Sequence, residues 1–237
     1  MPEGALVVGG SGGIGAAVCV ALAEAGFDLV ITYGGNRERA DAAADGVRAL
    51  GRRAEVRQLS LPNGDLGDLT GVRAVVFAAG ADIGQPHVGD IDLPDLRAVL
   101  EIEVLGFQAV VRAALPELRL QGGAIVAVSS AGLGRFPPGD ALSVAPKAAV
   151  QALIRGIARE EGRHGVRANA VAVGVVHAGI FERIPWEPAW IDAAKKNIAL
   201  RRFAQASEIA SVVAFLASAP SSYVTGQTLF ADGGYSV

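Results

Sequence analysis

Apolar positions in this chain fall into two kinds of segment. Short, nearly continuous runs occur at ALVVG (5–9), FDLVITY (27–33), AEVRQL (54–59), AVVFAAG (74–80), AIVAVSS (124–130), ANAVAVG (168–174) and TLFAD (228–232). Between them lie alanine-rich segments of helical period near 14–25, 37–50, 95–119, 144–162 and 207–218. Continuous apolar strands separated by helices predict a parallel sheet covered on both faces. No long linker or internal repeat breaks the alternation, so the pattern predicts one doubly wound α/β domain over residues 1–237 with about seven strands. One connection is irregular. Residues 60–73, SLPNGDLGDLTGVR, carry Pro, Asn and three Gly, a poor composition for a crossover helix. An abbreviated connection is expected there, with a turn or helical fragment around Asp65–Leu69.

Composition narrows the setting. At 237 residues and 51% hydrophobic, the chain can fill one sizeable core. A net charge of −3 without runs of like charge speaks against nucleic-acid or anionic-membrane partners. The single cysteine, Cys19, excludes an internal disulfide. The start, MPEGALVVGG, lacks the basic and apolar regions of a secretory signal, and no apolar run approaches the ~20 residues of a membrane span. A cytoplasmic protein is expected.

The stretch VVGGSGGIGAAV joins the first strand to the first helix. Such a turn brings backbone N–H groups up to a diphosphate, and the helix N-terminus favours its charge. Gly10, Gly12 and Gly15 give one register, GxGxxG; Gly9, Gly13 and Gly15 give a second, GxxxGxG. A carboxylate at the end of the second strand would bind the ribose hydroxyls of NAD. Here the segment reads Thr32-Tyr33-Gly34-Gly35-Asn36-Arg37, with no acid before Glu38. Arg37 suits a 2′-phosphate, which favours NADP over NAD; a solvated arginine on the first turn of a helix is the alternative.

Together with FAAG at 77–80, AIVAVSSAG, SVAPK at 143–147, GVRANAVAVG at 165–174 and SEIASVVAFLASAPSSYVTGQTLFADGG at 207–234, the glycine turn resembles the short-chain dehydrogenase/reductase family, especially its 3-oxoacyl-carrier-protein reductases. The resemblance covers essentially the whole chain and implies a Rossmann-type fold. It implies dinucleotide contacts at Gly9, Ser11, Gly13, Ile14, Gly15, Ala79, Gly80 and Lys147, and catalytic positions at Ser130, Ser143 and Lys147. It further implies a homo-dimer or homo-tetramer, or a hetero-oligomer with an active homologue. A small-molecule keto or acyl substrate is the expected ligand.

Departures from the family pattern gather on the functional face. Ser143 stands at the tyrosine position and Glu103, within EIEVLG, at the helix asparagine. Phe77 and Ala78 occupy the asparagines of the strand-end motif, Ser60 an adenine-contacting aspartate, and Val8 the threonine before the glycine turn. Val173-Gly174 replaces a Pro-Gly, and Ala178 a nicotinamide-contacting threonine. In the family the tyrosine protonates the developing alkoxide, its pKa lowered by the lysine. A serine hydroxyl is a far weaker acid and shorter by a ring, so ordinary tyrosine-dependent reduction is not expected.

Glu103 is the gain among these losses. On the family geometry it faces Lys147 and forms an acid/base pair; a solvated helical glutamate and a surface lysine are the alternatives. Ser130 polarises a carbonyl or satisfies loop backbone. His87 and His177, in loops on the carboxyl edge of the sheet, are further candidates for proton transfer. A Ser143–Lys147 nucleophile lacks the GxSxG elbow that would support it. No metal site is read. Three functions stay open: a diverged enzyme acting on a keto substrate by acid/base chemistry, an NADP-dependent reductase with a different proton donor, and a non-catalytic subunit or ligand sensor. Phe77 is a candidate to fill the glycine turn, which would remove the cofactor.

Overall fold

A computed structural model describes residues 3–183 and 185–237; Met1 and Pro2 of the N-terminal stretch lie outside the described residues. The chain opens with β1 (Gly4–Val8), α1 (Gly13–Glu24), β2 (Asp28–Tyr33), α2 (Arg37–Ala49), β3 (Ala54–Gln58) and β4 (Val72–Phe77). It continues through α3 (Leu93–Leu100), a π-helical turn at Glu101–Leu105, α4 (Gly106–Gln121), β5 (Gly123–Ser130) and α5 (Ala141–Glu161). The last part holds β6 (Val166–Val173), β7 (Val176–His177), α6 (Ile180–Arg183), α7 (Pro188–Lys196), β8 (Ala204–Gln205), α8 (Ala206–Ala217) and β9 (Thr228–Ala231).

Seven strands form one parallel sheet in the order β3-β2-β1-β4-β5-β6-β9. The period of two sorts each strand's side chains between two cores. Ala5, Val7, Ile31 and Val76 pack with α1, α2 and α8; Leu6, Val8, Val75 and Phe77 pack with α4 and α5. Both faces are therefore buried, which explains the near-continuous apolar runs. Strand order reverses between β1 and β4, so the carboxyl ends of these two strands open a crevice at the switch point.

Three expectations need correction. The fourth strand covers 72–77 rather than 74–80: its last ladder bond is Ala78 N–H to the Val8 carbonyl, after which Ala79 and Gly80 turn away. The helix expected over 95–119 is broken by the π turn, for which apolar periodicity gives no signal. A helix at Pro188–Lys196 and the two-residue pairing of β7 with β8 were not expected. No helix forms in the connection from β3 to β4. Its backbone is instead held by Asp65 and Asp68, which accept bonds from the amides of Gly67 (2.8 Å) and Thr70 (2.9 Å). Arg57 donates to the carbonyls of Leu66 and Asp68.

Candidate active site

The glycine turn lies at the switch point. Gly9 has φ +85°, and a Cβ on it would sit 2.6 Å from the backbone nitrogen of Ala79. On Gly15 a Cβ would strike the carbonyl oxygen of Gly9. On Gly13 it would meet the Cβ of Ala178 at 2.8 Å and the nitrogen of Gly179 at 2.9 Å. Gly10 is held as tightly, since a Cβ on it would lie 2.5 Å from Cγ2 of the buried Ile31. Packing thus demands glycine at Gly9, Gly10, Gly13 and Gly15, and only Gly12 has room for a side chain. Gly12, the N-cap residue, lacks a side-chain cap, so the first amides of α1 have neither an intrahelical nor a capping side-chain partner. Ser11 is half-buried in the turn, and Ile14 packs onto the core beneath it. These residues fit the diphosphate of a dinucleotide: bare amides at a helix N-terminus, beside a backbone that tolerates no side chain.

Phe77 does not fill the turn. It points to the opposite face, 2% exposed, edge-on to Phe107 at 5.4 Å between centroids. The segment after β7 approaches the turn instead, through Ala178 and Gly179. Arg37 opens α2 with its side chain 70% exposed and 3.3 Å from Asp41. Its pKa is raised, first by the hydrogen bond to Asp41. The pairing is weak at that exposure and leaves the guanidinium available to an anion.

Glu103 and Lys147 meet. Lys147 Nζ lies 2.8 Å from Glu103 Oε2 and 3.1 Å from Oε1. Glu103 is 3% exposed, on the π turn between α3 and α4, and Gly80, in the segment after β4, borders its carboxylate. Glu103 is buried and Lys147, half-buried, is paired with it, so neither is a freely solvated surface group. α5 is tied to the sheet one turn on from Lys147, where Gln151 Nε2 donates to the buried Ser129 of β5 at 2.9 Å.

Ser130 ends β5. Its Oγ accepts from the Gly132 amide at 3.0 Å, which uses a lone pair and leaves the hydroxyl proton to donate. Ser143 is half-buried on α5, its backbone N–H bonded to the Asp140 carbonyl at 3.0 Å.

Asp140, which the sequence patterns did not single out, belongs to this group. It is the N-cap residue of α5, yet its carboxylate forms no cap hydrogen bond. A Cβ placed on Gly132 would lie 3.2 Å from Asp140 Oδ2 and 3.1 Å from Ser130 Oγ. The two oxygens therefore converge over one glycine. Burial pushes the Asp140 carboxyl up to about 6; Lys147 opposes the shift and Glu103 adds to it. The signal in the sequence was spacing, because 140, 143 and 147 lie on one helical face.

The two histidines differ from expectation in one respect: His177 lies on β7, just before the Ala178 that meets the glycine turn, and not in a loop. His87 is exposed; His177 is packed edge-on against Phe181 and Phe203 at 5.2 and 5.4 Å. Trp186 and Trp190 stack beside them. Among the described residues no cluster of His, Cys, Asp and Glu is arranged for a metal, and no helix is long and apolar enough to cross a membrane.

Known proteins share this architecture throughout. The chain is 32% identical to the 3-oxoacyl-[acyl-carrier-protein] reductase FabG of Staphylococcus aureus over an alignment of 248 residues, covering 99% of this chain and 98% of the relative. The solved acetoin dehydrogenase of Enterobacter cloacae is 30% identical with a TM-score of 0.82, over 99% of this chain and 96% of that one. A solved chain from Agrobacterium tumefaciens, assigned as a 2-deoxy-D-gluconate 3-dehydrogenase and holding NADP, is 25% identical with a TM-score of 0.90, over 98% and 96%. Residues 8–236 match the family described as enoyl-(acyl carrier protein) reductase. The chain therefore belongs to the short-chain dehydrogenase/reductase family.

Proposed function

We propose that this chain is an enzyme that acts on the carbonyl of a keto or acyl-type small molecule, with NADP held at the glycine turn. The observation that carries the reading is the Glu103–Lys147 pair at 2.8 Å, its carboxylate buried and bordered by Gly80 just after β4. With Glu103 buried and the Lys147 side chain 16% exposed, the pair costs desolvation energy chiefly at the carboxylate and is weak as a source of stability. A use in the site explains why it is kept.

The amides of Gly13, Ile14 and Gly15 would hold the diphosphate, Ala79 and Gly80 would border the nucleoside, and Arg37 would take a 2′-phosphate. When bound, the dinucleotide supplies or accepts hydride. The chain's own part is to orient the carbonyl through the Ser130 hydroxyl and to surround it with a fixed field from Lys147 and Glu103. Ser143 places a short hydroxyl where the family pattern has a phenol, so the proton has to come from another group.

The test is turnover of a panel of β-ketoacyl thioesters and α-hydroxyketones with NADPH. Loss of NADPH absorbance reports reduction, and deuterium exchange at the α-carbon reports proton transfer without reduction. Glu103→Gln is expected to lower either activity at least ~100-fold; full activity in that variant would overturn the reading.

A second reading has its own observation. Lys147 spends two of its ammonium hydrogens on Glu103, and Ala178 and Gly179 lie against Gly13. Both suit a retired site in a non-catalytic subunit. Stable co-purification with a tyrosine-bearing homologue, without turnover by the isolated chain, would support that reading; a homo-oligomer with its own turnover would exclude it.

A further inference from the structure

We propose that Asp140 is the proton donor of this site: its carboxyl and the Ser130 hydroxyl converge over Gly132, so that Ser130 orients the substrate carbonyl while Asp140 protonates its oxygen. The inference rests on the carbonyl-reducing reading above and adds the group that reading lacks.

Geometry carries it. An aspartate at a helix N-cap ordinarily turns its carboxylate back onto the first amides. Asp140 does not, although it occupies the N-cap of a 21-residue helix. Its Oδ2 is directed across Gly132 instead, where a side chain would lie 3.2 Å from it and 3.1 Å from Ser130 Oγ. A Cβ there would also strike Val144 of α5, so glycine is what lets strand end and helix start come together.

The alternatives on the same face are weaker. Ser143 carries a hydroxyl far less acidic than a carboxyl. Lys147 and Glu103 are engaged with one another at 2.8 and 3.1 Å. The charged groups facing Asp140 are Lys147 from its own helix and Glu103 from the π turn; Ser130 faces it from β5 without charge. Burial raises the carboxyl to about 6, Lys147 opposes that rise and steadies the carboxylate left behind, and Glu103 adds to it, so the protonated fraction grows as pH falls towards 6.

The step balances. As hydride from a reduced nicotinamide dinucleotide reaches the carbonyl carbon, the carbonyl π pair passes to oxygen. That oxygen takes the proton as the Asp140 O–H bond breaks. The substrate leaves as an alcohol, the dinucleotide is oxidised, and water reprotonates the carboxylate.

Two measurements test it. The first needs no cofactor: carboxyl carbons of aspartate-labelled protein are titrated by NMR. One carboxyl is expected to titrate near 6, to vanish in Asp140→Asn and to move lower in Glu103→Gln. Titration of every carboxyl below about 5 would overturn the proposal. The second is the pH–rate profile on the panel with NADPH. Wild type is expected to lose kcat as pH rises through about 6. Asp140→Asn is expected to lose at least ~100-fold in kcat with KM within about threefold, and Asp140→Glu to recover part of the loss. A dead Glu103→Gln beside a fully active Asp140→Asn would remove Asp140 and leave the site reading standing. A wild type inactive on the whole panel would overturn that reading, and the donor role with it, even where the carboxyl titrates near 6.

Discussion

At the scale of single residues, the site sets two charged features against folding. Asp140 has a carboxyl raised from 3.8 to about 6, mainly by burial. A carboxyl that binds its proton more tightly when folded makes stability fall as pH rises from the unfolded value through the folded one. The contribution is thus fully present below about 4 and gone above about 6, and each pH unit between the two values is worth ~1.4 kcal/mol. Urea unfolding of wild type and Asp140→Asn across that window should show the wild-type slope and its absence in the variant. Having no cap bond to lose, the variant should gain on wild type above pH 6. The Glu103–Lys147 pair behaves differently, because deleting one partner strands the other. Glu103→Leu alone is expected to cost ~3–5 kcal/mol, whereas Glu103→Leu with Lys147→Met should recover most of it. A double variant no more stable than the single would show that packing, not the stranded charge, sets the cost. Of these residues, Glu103 and Lys147 were legible as a pair, because the family resemblance placed them together. Asp140 was not, since an aspartate after Pro137-Pro138-Gly139 reads first as turn and cap chemistry.

At the scale of elements, termini are closed by side chains distant in sequence. Arg167 of β6 donates to the carbonyls of Leu216 at 2.9 Å and Ser218 at 3.2 Å, and to Ser221 Oγ at 2.9 Å. One half-buried guanidinium thereby satisfies the C-terminal end of α8 and fastens it to the sheet. Arg167→Met should lower stability by ~2–4 kcal/mol in denaturant unfolding, and Arg167→Lys should restore only part, because an ammonium cannot span the same fork. Such a clamp cannot be read from local pattern, since its partners lie about fifty positions away. The strands could be read because burial on both faces makes each one continuously apolar. α7 was missed for the opposite reason: it has no buried residue and so no core-facing stripe to mark it. The π turn at Glu101–Leu105 was hidden as well. It leaves helical periodicity intact on either side, yet it lies where Glu103 turns inward, as such turns do at functional sites.

At the scale of the molecule, the switch point is where the two halves of the sheet meet. A dinucleotide there would touch the turn after β1, the end of β4, the start of α2 and the segment after β7. Ligand that binds only the folded chain stabilises it by mass action, ~2.7 kcal/mol at a hundred times Kd. NADPH should therefore raise the melting temperature with a concentration dependence that matches the Kd from calorimetric titration. NADH should do so less, because Arg37 has no 2′-phosphate to meet. Arg37→Ala should bring the two cofactors level while leaving ligand-free stability within about 0.5 kcal/mol, since the exposed pair with Asp41 is worth little. Gly13→Val should abolish the shift with both, because its side chain meets Ala178 and Gly179 and crowds the first amides of α1. No shift in wild type with either cofactor at millimolar concentration would mean that the segment after β7 closes the turn, and would turn the functional question towards the non-catalytic subunit.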